Sequence, residues 1–567
     1  MMQLRRLSLL LVALVLALSV EAAKPAKVNF QPSKGATVYG RVLCDGEPVV
    51  GVTVSDGALF ATTDSLGRYE LPSLKYHNAV FITTPSGYEP VCRRGVLPQF
   101  WALLDSRKPE KVERHDFELK RVDNQRHRMV VTADAHLAGR NEDLLQLKRT
   151  VMPALQRIAE EAKRDSLPVY SIVLGDLGIS QWWYSGEFDV DDALSSLVSS
   201  RYPFMLYTAM GELDHDGAIP ASPMTDHLAE EAYICACGPR FYSMNIGRVH
   251  YIVLDTTVFL NEAGDGKYPT EIVGTRNYER RVSADQLAWL RRDLSQVTDK
   301  TAPVVVCMHH GAFRANTKGK ISKTFTKPED TDSLTVCFKE FSNVHFLSAH
   351  QHRRRVSKAS ELPNIVDHNI SALGGNAWET GYNYYPHICA DGMDAGVEIF
   401  TIDGDSLSWQ SRSIENGDRT FRIYDMAAVS RYYRKMSDIR NMLRDVKSCI
   451  NYGADSFRDY VYINYWGEEP GSKLEVFAGK KRLKMRQVYQ DDPTFTIASS
   501  VVRHRNSRGR KVSINKANSQ HMFRVKVDST MKCVRVRATD SFGRVFEDSL
   551  IRPSKFVPTT NKRAKIK

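Results

Sequence analysis

The sequence predicts an α/β protein whose central domain is flanked by a β-rich domain on each side. The 567 residues correspond to roughly three or four folding units of about 150 residues each. Residues 35–120 show short alternating strands with Gly and Pro turns, whereas residues 127–415 alternate apolar runs with amphipathic helices. The composition, 42% hydrophobic and 25% charged, excludes a disordered or fibrous chain.

The two flanking domains are predicted from their turns and strands. Residues 35–120 are expected to form a small β-sandwich, because turns such as Asp45-Gly46 separate its short strands. Residues 425–553 begin with a mixed helix and continue with strands, and a basic tail, residues 554–567, follows. Basic segments such as this tail and the loop 503–511 are usually solvated.

Two helices of the central domain are indicated by apolar stripes. The segment 142–164 places six apolar residues on one face: Leu144, Leu147, Val151, Leu155, Ile158 and Ala162. Ser283 is predicted to start a second helix, with Gln286 completing a capping box and Leu287, Leu290 and Leu294 facing inward. Both helices are interpreted as packing elements.

The first 22 residues have the pattern of an export signal. Arg5 and Arg6 precede an apolar stretch, and small residues around Ala22 suit cleavage. The stretch 7–20 is shorter than the roughly 20 residues that span a bilayer, so the sequence predicts no transmembrane anchor. We therefore expect an exported protein, periplasmic or secreted. Nine cysteines, most of them in apolar contexts, do not suggest a disulfide framework.

The net charge of +12 favours anionic surroundings or substrates. It is small for a dedicated nucleic-acid binder of this length, so no specific nucleic-acid partner is predicted. The oligomeric state is left open by the sequence.

Polar side chains follow five apolar runs of the central domain. The runs end at Asp134 and His136, at Asp176, at Glu212 and Asp214, at His309 and His310, and at His350 and His352. Because the carboxyl ends of buried strands lie along one edge of an α/β sheet, we expect these side chains to converge there. His310 is interpreted as a neighbour of the better candidate His309, and His250, midway along an apolar run, as a core histidine.

Imidazole and carboxylate together suit divalent Zn, Mn or Fe, although the sequence does not decide among them. A carboxylate can bridge two ions, and Asp176 is the expected bridge. Two ions about 4 Å apart can stabilise both the attacking and the leaving oxygen of a phosphoryl displacement and lower the pKa of a bound water. The pattern therefore predicts two divalent metal ions and hydrolysis of a phosphate ester by a metal-bound hydroxide.

The order of these motifs resembles that of the calcineurin-like metallophosphoesterases. The stretch "GRVLCDGEPVVGVTVSDG" also resembles a prealbumin-like N-terminal module, and "VRVRATDSFGRVFED" resembles a C-terminal accessory domain of bacterial relatives. The resemblance implies a central metallophosphoesterase-type β-sandwich flanked by helices. It implies one metal bound by Asp134, His136, Asp176 and His352, and a second bound by Asp176, Glu212, His309 and His350.

The sequence departs from the family motif at one important place. Where the family has Asn-His in GNHD, this chain has Glu212-Leu213, so the imidazole that would contact the substrate phosphate is absent. Loss of such a group typically lowers the rate by about 10²- to 10⁴-fold. His215 is the candidate replacement as a catalytic proton donor. Ala349 replaces the Gly of the last motif, which is a milder change.

Three interpretations of function are left open. The first is an exported phosphoesterase acting on a phosphorylated small molecule, lipid or glycan, with Trp378 in "GGNAWETGY" as a candidate substrate contact. The second is a degenerate relative that binds a phosphorylated envelope glycan or lipid without turning it over, which Leu213 favours. The third is adhesion or scaffolding by the β-rich domains alone.

Overall fold

The computed structural model describes residues 30–262, 275–315, 320–507 and 518–559. The predicted export signal, residues 1–22, lies outside the described residues, as do parts of the basic loop and of the basic tail. Within the described ranges, no helix has the length and apolar character that a membrane span requires.

The N-terminal region is a β-sandwich. Its strands are β1 Val38–Cys44, β2 Glu47–Pro48, β3 Thr53–Ser55, β4 Phe60–Thr62, β5 Arg68–Leu71, β6 Ala79–Ile82, β7 Tyr88–Pro90, β8 Cys92–Arg93, β9 Leu97–Pro98, β10 Trp101–Leu103, β11 Glu113–Arg114 and β12 Phe117–Arg121. A six-stranded sheet contains the path β11-β1-β12-β7, and a four-stranded sheet has the order β10-β6-β3-β4. Alternate residues of β1 are buried, which is the pattern of a strand with one face on a core.

The central region contains fifteen strands among the described residues. They are β13 Arg126–Thr132, β14 Val169–Leu174, β15 Met205–Ala209, β16 Tyr242–Ile246, β17 Val249–Leu254, β18 Thr257–Phe259, β19 Tyr278–Arg280, β20 Val304–Met308, β21 Phe313–Ala315, β22 Ile321–Lys323, β23 Val344–Ser348, β24 Arg355–Lys358, β25 Ile365–Asn369, β26 Gly396–Asp403 and β27 Ser406–Ser413. One sheet has the order β15-β14-β13-β26-β27, and the other β16-β17-β20-β23-β25-β24.

The helices of the central region are α1 Asp143–Gln146, α2 Met152–Arg164, α3 Val190–Ser199, α4 Thr225–Ala229, α5 Glu231–Cys237, α6 Ala284–Ser295, α7 Pro328–Thr335 and α8 Glu379–Tyr382. Apolar residues of β13 alternate between two cores. Met129 and Val131 share a core with the six-stranded sheet, whereas Val130 shares a core with α2 and α3. The two sheets therefore form a sandwich with helices outside it.

The helix predicted at 142–164 is present, with a π-helical segment, Leu147–Val151, between α1 and α2. The capping box predicted at Ser283 is wrong. The Ser283 side chain makes no capping hydrogen bond to α6. The Gln286 amide instead donates to the Asp255 carbonyl and accepts from the Asp255 N–H, which holds α6 against the end of β17.

The C-terminal region packs two four-stranded sheets, β28-β29-β33-β32 and β31-β30-β34-β35, around one core. Its strands are β28 Phe421–Asp425, β29 Tyr460–Tyr465, β30 Lys473–Ala478, β31 Lys481–Arg482, β32 Met485–Gln490, β33 Ser519–Lys526, β34 Cys533–Thr539 and β35 Val545–Ile551. Its helices are α9 Met426–Lys435, α10 Ser437–Asp445, α11 Pro493–Phe495 and α12 Val502–Asn506. The long mixed helix predicted after Asp425 is thus two helices.

Candidate metal centre

The predicted ligands converge because the strands that carry them end at the same level. Strands β13, β14 and β15 are parallel, and their last residues lie side by side, Leu174 of β14 opposite Ala209 of β15. In the other sheet, β20, β23 and β25 are parallel, with Ser348 opposite Asn369. Each ligand follows the carboxyl end of one of these strands.

Asp134, His136 and His352 form the first group of ligand atoms. The Nε2 atoms of His136 and His352 lie 2.9 Å apart. Asp134 Oδ1 lies 3.8 Å from His136 Nε2 and 3.5 Å from His352 Nε2. Asp134 and His136 are buried, and the His352 side chain is 23% exposed, so the group lies at the bottom of an opening.

Glu212 is the centre of the second group. Its Oε2 atom lies 2.7 Å from His309 Nε2 and 3.3 Å from His310 Nε2. Its Oε1 atom lies 2.9 Å from His350 Nδ1. One carboxylate and three imidazoles are thus gathered within the span of a single ion.

Asp176 lies between the two groups. Its Oδ2 atom is 3.8 Å from His136 Nε2 and 3.5 Å from His309 Nε2, so one carboxylate reaches a member of each group. Its Oδ1 atom accepts a hydrogen bond from the Leu213 N–H at 2.9 Å. This position is the one that a bridging ligand requires.

The polar atoms that face one another in this centre fit a pair of cations. Five buried atoms make no hydrogen bond of normal geometry among the described residues, although Glu212 Oε2 and His309 Nε2 lie within 2.7 Å of each other: both oxygens of Asp134, Glu212 Oε2, His309 Nε2 and His310 Nε2. His309 Nδ1 lies 2.7 Å from the Leu174 carbonyl, which can only accept, so this nitrogen carries the proton. In the neutral ring the Nε2 lone pair then points at Glu212 and Asp176, an arrangement that a cation between them would stabilise.

The pKa values show how strongly the charges interact. Burial alone would raise the pKa of Asp134, but the neighbouring His352 imidazole lowers it to about 2. Burial and the adjacent Glu212 carboxylate raise the pKa of Asp176 well above its usual value. Carboxylates this close, in a largely buried site, are an environment in which divalent cations bind.

The backbone is strained at five of the ligands. Asp134, His136, Asp176, His350 and His352 all have φ between 47° and 65°, in the left-handed region. This region costs an L-residue roughly 1–2 kcal/mol, and Asp and His tolerate it better than most. Such strain concentrated at one place is typical of functional sites.

Two glycines make the close approach of the strand ends possible. A Cβ on Gly175 would lie 2.6 Å from His309 Nδ1, and a Cβ on Gly211 would lie 2.3 Å from Asp176 Oδ1. Asp214 fixes the same loops, since its carboxylate accepts from the N–H groups of Leu177 at 2.9 Å and of Gly211 at 3.0 Å. The acid that follows Leu213 is therefore a loop organiser and not a ligand.

The predicted catalytic residue His215 is buried beside the loop that carries Glu212. Its Nδ1 lies 3.1 Å from the Gly211 carbonyl, its Nε2 lies 4.0 Å from Asp226 Oδ1, and the residue is grouped with Glu230 and Asp255. The ring also stacks on Phe259. Among the described residues, His215 belongs to neither ligand group, and its role as a proton donor stays a prediction.

Trp378 needs correction as a substrate contact. The side chain is 1% exposed and belongs to the core that α2 and α3 share. Its Nε1–H donates to the Ala135 carbonyl at 2.8 Å. Trp378 therefore supports the backbone between Asp134 and His136 and does not face an opening.

Two residues near the centre are missed by sequence reasoning. The interpretation of His310 as a mere neighbour is incomplete, because its Nε2 atom lies within the second ligand group, while its Nδ1 lies 3.4 Å from Thr257 Oγ1. Tyr278 of β19 packs on the His310 ring at 5.2 Å between centroids. The doublet His309-His310 is the available sequence signal for His310, whereas nothing in the sequence around Tyr278 points to the centre.

His250 is a core histidine, as the sequence predicted. It is buried and forms hydrogen bonds with Asn245 and Asp293.

The fold and the centre define an α/β sandwich protein with clustered His, Asp and Glu ligands that suit two metal ions. Residues 36–122 match the family described as the N terminal of calcineurin-like phosphoesterase, and residues 367–546 match the C terminal of calcineurin-like phosphoesterase. These two matches confirm the predicted resemblance to calcineurin-like phosphoesterases with N-terminal and C-terminal accessory domains, and the two-sheet sandwich described above agrees with the predicted fold class. No curated protein matches the chain.

Solved structures similar to the chain include three from different organisms. A dimetal phosphatase from Danio rerio is 12% identical, with 51% of this chain and 96% of that chain covered and a TM-score of 0.32. GAP50, the anchor in the inner membrane complex of Plasmodium, is 10% identical, with coverage of 52% and 86% and a TM-score of 0.29. The protein TT1561 of Thermus thermophilus is 13% identical, with coverage of 50% and 99% and a TM-score of 0.25.

Proposed function

We propose that the chain hydrolyses a phosphate ester with two divalent metal ions, one in each ligand group. The observation that carries the proposal is the pair of groups joined by Asp176, with unpartnered ligand atoms that face one another. Ions bound there would supply Lewis-acid stabilisation of phosphate charge and an activated water. Metal identity among Zn, Mn and Fe is not decided by this donor set.

The residues of the chain hold this arrangement in place before any substrate binds. The Leu174 carbonyl fixes the His309 ring, and the Leu213 N–H and Gly211 position the Asp176 carboxylate. Preorganisation of this kind places the ligands without further rearrangement during the reaction. Glu212 adds a negative charge that Asn would not, and this charge weakens the attraction for a phosphate.

Leu213 favours a second candidate function. Its half-buried side chain occupies the motif position of the missing imidazole and offers no proton. His215, the predicted replacement, is buried and stacks on Phe259. The alternative is therefore a protein that binds a phosphorylated glycan or lipid and turns it over slowly or not at all.

Turnover of nitrophenyl phosphate mono- and diesters, measured with Mn or Zn, separates the two candidates. The phosphoesterase proposal expects turnover by the native chain that falls at least about 10³-fold in Asp176→Asn, because the bridging charge is lost. A Glu212→Asn, Leu213→His double variant is the matched comparison. Turnover only in this double variant would contradict the phosphoesterase proposal and support the binding function.

We further propose that the protein acts outside the cytoplasm. The basis is the charged and apolar pattern of residues 1–22, together with a net charge of +12 that suits anionic envelope components. Fractionation of cells that express the full chain tests this, with N-terminal sequencing expected to show cleavage near Ala22. An uncleaved chain in the cytoplasmic fraction would contradict it.

A further inference from the structure

A cleft of about 420 Å³ opens between the central region and the C-terminal region. One wall is formed by residues 353–358 together with Gln351 and Arg314. The facing wall is formed by residues 468–470 and by Tyr489, Gln520 and His521 of the C-terminal region. The function proposed above does not use this cleft.

The loop that carries two predicted metal ligands also lines the cleft. His350 and His352 belong to the two ligand groups, whereas Gln351 and Arg353, which alternate with them, line the cleft. The two histidines have φ of 65° and 49°, so the loop turns sharply at each. Because consecutive Cα atoms lie about 3.8 Å apart, the cleft reaches the loop that carries these two ligands.

The cleft presents more cationic than anionic side chains. Arg314, Arg353 and Lys358 line it, and none of the three has an ion-pair partner among the described residues. Glu468 is the acid without such a partner, and burial raises the pKa of its carboxyl.

The remaining charged residues of the lining are neutralised by one another or by acids behind the wall. Arg354 pairs with Glu398 at 2.9 Å and with Glu469 at 3.0 Å. Arg355 pairs with Asp367 at 3.4 Å, and His521 contacts Asp391 at 3.0 Å. The excess positive charge of the cleft thus comes from Arg314, Arg353 and Lys358, and a concave surface of this charge attracts an anion.

We propose that this cleft binds a second phosphate group of the substrate. The proposal rests on the phosphoesterase function and specifies its substrate class: an ester that places one phosphate at the metal centre and extends past the ligand loop to place a second phosphate in the cleft. Guanidinium groups such as those of Arg314 and Arg353 suit the paired oxygens of a phosphate. Gln351 and Gln520 add amide groups for the hydroxyls of a polyol scaffold between the two phosphates.

Calorimetric titration of the full chain tests the proposal without requiring turnover. The probes are fructose 1,6-bisphosphate and fructose 6-phosphate. The native chain is expected to bind the bisphosphate at least about tenfold more tightly than the monophosphate. This ratio of affinities is expected to fall to near one in the double variant Arg314→Met, Arg353→Met. Arg314→Met, Lys358→Met leaves the ligand loop untouched and should lower the ratio as well. Arg149→Met, an exposed charge far along the chain from the cleft residues, is the control that should keep it.

Two results would overturn the second-phosphate site: equal affinity of the native chain for both probes, or a ratio that survives in both double variants. Binding of 6-phosphogluconate as tightly as the bisphosphate would overturn the phosphate assignment in favour of a general anion site. A native chain that keeps the ratio but does not hydrolyse nitrophenyl phosphate would contradict the proposed reaction and leave the second-phosphate site supported.

Co-sedimentation with lipid vesicles distinguishes a lipid substrate from a soluble one. Phosphatidylcholine vesicles that contain phosphatidylinositol 4-phosphate are sedimented with the native chain and with Arg314→Met, Arg353→Met. Co-sedimentation of the native chain alone supports a second phosphate presented by a lipid. Binding of the soluble bisphosphate without co-sedimentation supports a soluble ester.

Discussion

At the scale of single residues, the centre depends on positions where only a small side chain fits. Gly211 is the clearest case, because its Cα region lies against the Asp176 carboxylate. The left-handed backbone of five ligands is a second sign that the loops turn tightly here. Local backbone strain occurs here because several strand ends must meet within a few ångströms.

Gly211→Ala is expected to displace Asp176 and to lower metal content and activity together. The added Cβ would lie 2.3 Å from Asp176 Oδ1 and 2.5 Å from its N atom, so the backbone must shift. Gly178→Ala is the matched control, because its Cβ would make only ordinary contacts of 3.5 Å or more. Metal analysis of both purified variants checks this, and a Gly211→Ala protein with native metal content would contradict the close approach.

His310→Ala is expected to reduce bound metal from two equivalents to about one. The reason is that His310 Nε2 faces Glu212 Oε2 at 3.3 Å within the second ligand group, and losing one ligand from such a set weakens binding substantially. His215→Asn should keep both equivalents, since His215 belongs to neither ligand group among the described residues. Two equivalents in His310→Ala would restore the interpretation of His310 as a neighbour.

Much of the centre could be predicted because each ligand directly follows an apolar run. The strand ends at Asp176 and His309 are examples, since burial of the runs and the topology of parallel strands place both at one edge. The orientation of His215 and the burial of Trp378 could not be predicted, because they depend on contacts with Phe259 and Ala135 that are remote in the sequence. The same holds for Gln286, whose partner Asp255 is 31 residues away.

At the scale of elements, the two sheets of the sandwich are joined by polar contacts as well as by apolar packing. His127 of β13 is buried, with Nδ1 2.9 Å from the Asn124 carbonyl and Nε2 2.8 Å from the Tyr251 hydroxyl of β17. The carbonyl requires a proton on Nδ1, so the tyrosine hydroxyl donates to Nε2 of a neutral ring. Burial lowers the pKa of His127 to about 4.

The stability of the sandwich is therefore expected to fall as the pH is lowered. The His127 pKa is lower in the folded state than its unfolded value of about 6.5, so only the unfolded chain takes up the proton between these values. The contribution is fully present above about pH 6.5 and is lost as the pH falls to 4, by about 3 kcal/mol.

Urea unfolding from pH 7 to 4 measures this loss. His127→Gln should show a shallower dependence of the unfolding free energy on pH than the native chain, whatever its stability at pH 7. His345, whose pKa burial also lowers to about 4, contributes equally to both proteins and so cancels in the comparison. Identical slopes for the native chain and His127→Gln would contradict a neutral His127 between the sheets.

At the scale of the whole molecule, the accessory regions are built into the structure around the centre. The N-terminal sandwich shares a core cluster with the central region, which includes Val38 and Phe81 together with Met129. The family match to the C-terminal domain begins at residue 367, within β25, and so includes strands of the central sandwich.

Arg354 ties the C-terminal region to the loop that carries the ligands. It lies two residues after His352 and is buried among Glu398 of β26, Glu469 and the Trp466 carbonyl. Removing one partner of such a buried cluster leaves uncompensated charge and is strongly destabilising. The C-terminal region thus positions one side of the centre and, in the same place, forms the far wall of the cleft.

Residues from five strand ends are proposed to bind two cations together. Elemental analysis of the purified full chain, after loading with Mn or Zn and removal of free metal, tests it most directly. We expect two equivalents per chain in the native protein and a loss from both positions in Asp176→Ala, because this carboxylate reaches both ligand groups. A native chain that retains no metal, or an Asp176→Ala chain that retains two equivalents, would contradict it.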